Sequence, residues 1–176
     1  MGLNASEMER NDVLKEWAVL DLNETPDVGR AAWSGGGGSG EKAGDGAGGG
    51  RREMQFKAIT CAVSIDYMIH PLELCRNLLD ATTPGGTIHL VISNRCFPNK
   101  VVRRWMELDE CQRLEFVGDY LWFAGWRDVQ IVDLCATDEM GSRVTDDRGE
   151  VLGRSKYLPR HLDPLWVVRA TKVTEQ

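Results

Sequence analysis

Residues 56–92 read FKAITCAVSIDYMIHPLELCRNLLDATTPGGTIHLVI, and this stretch decides the fold. Phe56 to Ile65 is an apolar run of strand length with β-branched members, the pattern of a buried strand. Asp66 and Tyr67 close it. Pro71 then stands where proline suits the first turn of a helix, because its missing N–H would have no intrahelical partner there. Leu72, Leu74, Cys75, Leu78 and Leu79 carry the helix onward at three- and four-residue steps. Pro84-Gly85-Gly86 is expected to end the segment in a tight turn, and Thr87 to Ile92 is a further strand rich in β-branched residues. Strand, helix, turn and strand make a βαβ unit. The continuous apolar character of both strands predicts parallel pairing, helices over both faces and a right-handed connection. The fold class expected is α/β.

Moving outward, Ser34 to Gly50 reads SGGGGSGEKAGDGAGGG and holds ten of the 19 glycines. It has almost no side chains able to pack, so a flexible linker is expected; a phosphate-cradling loop would be short and set between strand and helix. Upstream, Asn4 to Asn11 reads as a short helix with Ser6 as a cap. Trp17 to Leu20 reads as a buried strand stopped by Asp21-Leu22-Asn23. Downstream, Val101, Val102, Trp105, Leu108, Leu114, Val117, Leu121 and Trp122 recur at helical spacing, predicting one or two helices between residues 98 and 123. Tyr120, Trp122, Phe123 and Trp126 are expected in the core on that spacing. Val129 to Cys135 and Leu165 to Lys172 are strands with no apolar helix between them, so an antiparallel pair at a sheet edge is expected. The organisation is then an amino-terminal helix and strand in residues 1–33, a glycine-rich disordered linker in 34–53, and the bulk of an α/β domain in 54–176.

The 176 residues suit one domain, and 42% hydrophobic with 27% charged residues is a globular balance. A formal net charge of -6 argues against gripping nucleic acid, which needs a clustered basic face. No apolar run approaches the roughly 20 residues of a membrane span. Met1 to Asp12 is polar and acidic, and a soluble, cytoplasmic protein is expected. Five scattered cysteines without zinc spacing read as reduced thiols, and no metal site is expected. His70, His89 and His161 join no nucleophile in a recognisable motif, so a hydrolase triad has no support. No G-x-G-x-x-G follows a strand and no Tyr-x-x-x-Lys is present, which ranks a nicotinamide oxidoreductase last.

Open α/β sheets bind ligands beyond the carboxyl ends of their strands. That rule selects Asp21-Leu22-Asn23, Ala62 to Tyr67 and Ser93-Asn94-Arg95. The motifs DLNETP (21–26), SIDYMIHPLE (64–73), PGGTIHLVISNRCFP (84–98) and GDYLWFAG (118–125), followed by DPLWVVRA (163–170), make the chain resemble the class I S-adenosylmethionine-dependent methyltransferases. The resemblance is greatest to a plant, algal and fungal group of small methyltransferase-like proteins. It implies a Rossmann-like sheet, S-adenosyl-L-methionine as cofactor and a small-molecule acceptor. It puts Asp21 and Leu22 beside the adenine and Cys61, Ala62, Val63 and Ser64 along the methionine part. Asp66 and Tyr67 then face the methyl-transfer site as base and as wall or proton donor. Asn94 and Arg95 fall at the acceptor mouth, where Arg95 could hold a carboxylate. Structural readings stand beside these: Asp21 capping a turn, and Asp66 and Tyr67 fixing the helix start at Pro71.

The sequence opens at Met1-Gly2-Leu3-Asn4, which in this family matches only the loop after the second strand. A sheet truncated at its amino end is therefore expected, without the glycine turn and ribose-binding acid. Weak or absent cofactor binding and self-association through an exposed sheet edge follow. The alternative function is a non-catalytic fragment or interaction module. Methyl transfer is an in-line displacement that needs orientation more than a covalent nucleophile, which explains the lack of a strong catalytic motif.

Overall fold

The computed structural model describes residues 5–28, 55–135, 139–140 and 164–173. The glycine-rich stretch 34–53 and His161 lie outside them. Helices α1 (Ala5–Glu9), α2 (Pro71–Asp80), α3 (Arg103–Glu107) and α4 (Glu110–Ala124) accompany strands β1 (Phe56–Ala62), β2 (Thr82–Ser93), β3 (Arg127–Asp133) and β4 (Leu165–Thr171). The strands form one α/β sheet in the order β1-β2-β4-β3. β1 and β2 run parallel, with Ile59 opposite Ile88 and Cys61 opposite Leu90, as the βαβ reading requires. β4 is antiparallel to both β2 and β3, so the expected pair forms, with β3 at the edge and β4 inside.

Proline at its first position starts α2, and the Lys172 ammonium finishes it by donating to Leu79 O and Thr82 O, each at 2.8 Å. The start of α4 is a capping box: Asp109 accepts from Gln112 N at 2.9 Å while the Gln112 side chain accepts from Asp109 N at 3.0 Å. Gly125 ends α4 at φ 106°, a left-handed conformation that costs glycine little. The indole N–H of fully buried Trp126 donates to Cys75 O at 3.0 Å, tying the entry of β3 to α2.

Five expectations are corrected. Helices do not cover both faces evenly: Ile88, Leu90 and Ile92 are buried opposite Ala170, Val168 and Trp166, whereas Thr87, His89 and Val91 between them stay partly exposed. One face carries the core, and the strands alternate accordingly. Pro84-Gly85-Gly86 is a bulge inside β2, not a turn before it: Phe56 pairs with Thr82 and Ala58 already with Thr87. Lys172 holds the bulge, its carbonyl accepting from Gly85 N at 2.8 Å and its N–H donating to Gly86 O at 2.9 Å. Trp17 to Leu20 is no strand of the sheet, only isolated bridge residues Trp17 and Val19, because Asp21 turns the chain at once. Ser6 lies within α1 and does not cap it. Of the four aromatics expected in the core, Trp126 is buried and Tyr120 half-buried, but Trp122 and Phe123 are exposed.

Candidate functional site

Asp21 folds the segment after it into a turn: its Oδ1 accepts from Asn23 N at 2.9 Å and its carbonyl from Thr25 N at 2.8 Å. Asn23 then reaches the sheet. Its Nδ2 donates to Tyr67 O at 3.2 Å and its Oδ1 accepts from Ile69 N at 2.8 Å, so one amide clamps two backbone groups just beyond the carboxyl end of β1. Leu22 packs on the core beside it. Two of the three segments selected from sequence are thereby joined.

At the end of β1, Cys61 is partly buried, and burial pushes its thiol up to about 11, with the Asp66 charge adding to the effect. Ala62 is exposed, and the Ser64 hydroxyl donates back to Ala62 O at 2.8 Å. Val63 adopts φ 48°, a left-handed conformation unusual for a β-branched residue, while its N–H is held by Val91 O at 2.9 Å.

Asp66 is 5% exposed and its Oδ2 has no hydrogen-bond partner. Burial lifts its carboxyl above the usual aspartate range. Its own backbone N–H, the Tyr67 hydroxyl and the charge of Arg113 pull it back without cancelling the rise. Burial likewise raises the Tyr67 phenol, against the Phe97 N–H that donates to its oxygen at 3.0 Å. Neither residue fixes the start of α2. They hold the loop after β2 instead, Tyr67 through Phe97 and the Asp66 carbonyl through Val102 N at 3.0 Å. Trp105, 1% exposed, lies next along this wall; its N donates to Val102 O at 2.9 Å and its indole N–H has no hydrogen-bond partner. Arg113 donates to Trp105 O at 3.1 Å and places its guanidinium 5.3 Å from the ring centre. A buried carboxyl that keeps its proton to higher pH can serve as acid or base. Sequence reasoning missed Arg113 and Trp105, whose helical positions carry no signal beyond core packing.

The third segment runs between two of these bonds, Val63 N to Val91 O and Phe97 N to the Tyr67 hydroxyl. Asn94 and Arg95 are exposed after β2, and Asn94 with Ser93, Glu110, Arg113, Leu114, Ile92 and Trp166 lines a pocket of about 10 Å³. That is room for about one water, against the roughly 300–1,000 Å³ of small-molecule sites. No other residue named for catalysis or cofactor lines it. Among the described residues no group of three or more His, Cys, Asp or Glu is placed to hold a metal, and no helix is long and apolar enough to cross a membrane.

Two of the residues named for S-adenosylmethionine are engaged locally, Asp21 Oδ1 in its own turn and the Ser64 hydroxyl with Ala62 O, and none of the six lines the pocket, which is too small to take the cofactor.

The class defined is an α/β protein, with a mixed sheet of four strands among the described residues. No family model and no curated protein matches the sequence. Among solved structures, the chain is similar to the S-adenosylmethionine-dependent methyltransferase SibL in its apo form, at 16% identity and TM-score 0.38, covering 67% of this chain and 31% of that one. It is similar to a SAM-dependent methyltransferase from Archaeoglobus fulgidus, at 13% identity and TM-score 0.39, covering 67% and 60%. It is also similar to the [4+2]-cyclase SpnF, at 12% identity and TM-score 0.39, covering 69% and 52%. The chain thus spans from about a third to three fifths of the length of these proteins.

Proposed function

We propose that this chain is an S-adenosylmethionine-dependent methyltransferase-like protein directed at a small acceptor, and that by itself it holds the cofactor weakly or not at all. The support for the class is the succession DLNETP, SIDYMIHPLE and PGGTIHLVISNRCFP carried on the parallel β1-α2-β2 unit. The observation that carries the reading is the Asn23 clamp, which fastens the Asp21-Leu22 turn beyond the carboxyl end of β1. Asp66 is the residue we assign to acid or base work there, because its carboxyl is buried with one oxygen unpartnered. Weak cofactor binding is supported by the engagement of the Asp21 and Ser64 side chains in local hydrogen bonds.

A second reading, a non-catalytic interaction module of the same fold, is favoured by that same engagement of polar side chains. Calorimetric titration of the chain with S-adenosylmethionine tests both. The expected dissociation constant is millimolar or weaker, each factor of ten corresponding to about 1.4 kcal/mol. A micromolar one-to-one site would overturn the weak-binding claim; Asp21→Ala should then weaken it by about five- to tenfold, on the order of 1 kcal/mol. No heat at any concentration, with no methyl transfer to a panel of small acceptors, would favour the module.

A further inference from the structure

Cys96 Sγ lies 3.7 Å from Met106 Sδ. The two residues come from separate elements, the loop after β2 and helix α3, and each is held from behind. Phe97 N donates to the Tyr67 hydroxyl beside Cys96, while Trp105, 1% exposed, anchors α3 next to Met106. Met106 itself is 50% exposed and Cys96 only partly buried, so the sulfur pair opens to solvent. Glu107, the carboxylate of α3, is engaged by Arg104 at 3.0 Å and Arg103 at 3.5 Å. The sulfurs are the soft donors left facing outward.

From this pair we infer a binding site for a soft monovalent metal ion of the Cu(I) class. Metal–sulfur bonds of about 2.3 Å spanning this separation would meet at roughly 105–110°, close to the tetrahedral angle. A thiolate with a thioether prefers Cu(I) to the harder divalent ions, which favour oxygen and imidazole. Solvent or a small exogenous thiol would complete the coordination. Binding replaces the Cys96 thiol proton by the metal; the proton leaves to solvent, no electron is transferred, and affinity rises with pH. The spacing Cys96-x9-Met106 has no sequence signature, because only the packing of α3 under the loop brings the sulfurs together.

The test is titration of the reduced full chain with Cu(I) against a chromogenic Cu(I) chelator, in a Cys111→Ser background that removes the exposed thiol. One ion per chain is expected, bound more tightly as pH rises. Met106→Leu and Cys96→Ser should each weaken binding at least about tenfold, and circular dichroism should show both still folded. Met106→Leu keeps the side chain's bulk at a half-exposed position, so it reads the thioether and not the fold. Equal affinity in Met106→Leu would mean that Cys96 binds as a single thiolate, which overturns the proposal, as would the absence of one-to-one uptake in the parent.

Discussion

At the residue scale, Asp66 is the most consequential side chain. Its folded carboxyl keeps its proton to higher pH than the unfolded chain does. Between the ordinary aspartate value, about 4, and the raised folded value, the folded state therefore binds more protons, and its stability falls as pH rises. Asp66→Asn removes that slope. Urea unfolding from about pH 4 to about pH 8 should show the variant gaining on the parent as pH rises, then levelling off. A parent-to-variant difference constant across that range would sink the assignment. Asn23 is legible only as a polar residue after an apolar run, yet it makes two bonds to backbone 44 and 46 residues away. Asn23→Ala removes both bonds at a site open to water and should destabilise by about 0.5–1.5 kcal/mol, read as a lower melting temperature. An unchanged melting temperature would show that the 21–25 turn does not depend on the clamp.

At the element scale, the bulge of β2 and the edge of β1 carry the testable claims. A Cβ added at Gly86 would lie 2.5 Å from Thr82 Cγ2, 2.9 Å from Thr83 O and 3.0 Å from Lys57 O, two of them backbone atoms that cannot swing away. Gly86→Ala should therefore cost at least about 1–3 kcal/mol, whereas Pro84→Ala, at an exposed position, should change stability by about 0.5 kcal/mol or less. Equal unfolding midpoints for the two variants would show that β1 can yield. β1 was read from sequence as a buried strand because it is apolar, but none of its seven residues is buried, and among the described residues it pairs on one side only, with β2. Such an edge, with Lys57 as its single charge, invites another strand. Sedimentation should show concentration-dependent self-association of the parent that Thr60→Lys reduces; a parent that stays monomeric throughout would remove the edge argument.

At the scale of the whole molecule, the α/β class and the βαβ unit were legible because their signals are local. The apolar run from Phe56, Pro71 at a helix start, leucines at helical steps and β-branched residues after Gly86 each constrain their own neighbours. The antiparallel β3–β4 pair followed from two strand-like runs with no apolar helix between them. What was not legible depends on contacts between distant parts. The turn of 21–25 docks on residues 67–69, Trp126 bonds to Cys75 across 51 residues, and Lys172 closes α2 across more than 90. The candidate site shows the same division. The sequence by itself determined which residues stand at the ends of the apolar runs, since strand length and composition are properties of the local chain. Only the tertiary structure decided that Asp66 would be buried with an unpartnered oxygen, that one face of the sheet would take the core, and that Cys96 would meet Met106. Burial and pairing at these positions come from packing between segments far apart in the chain, and no local period encodes that.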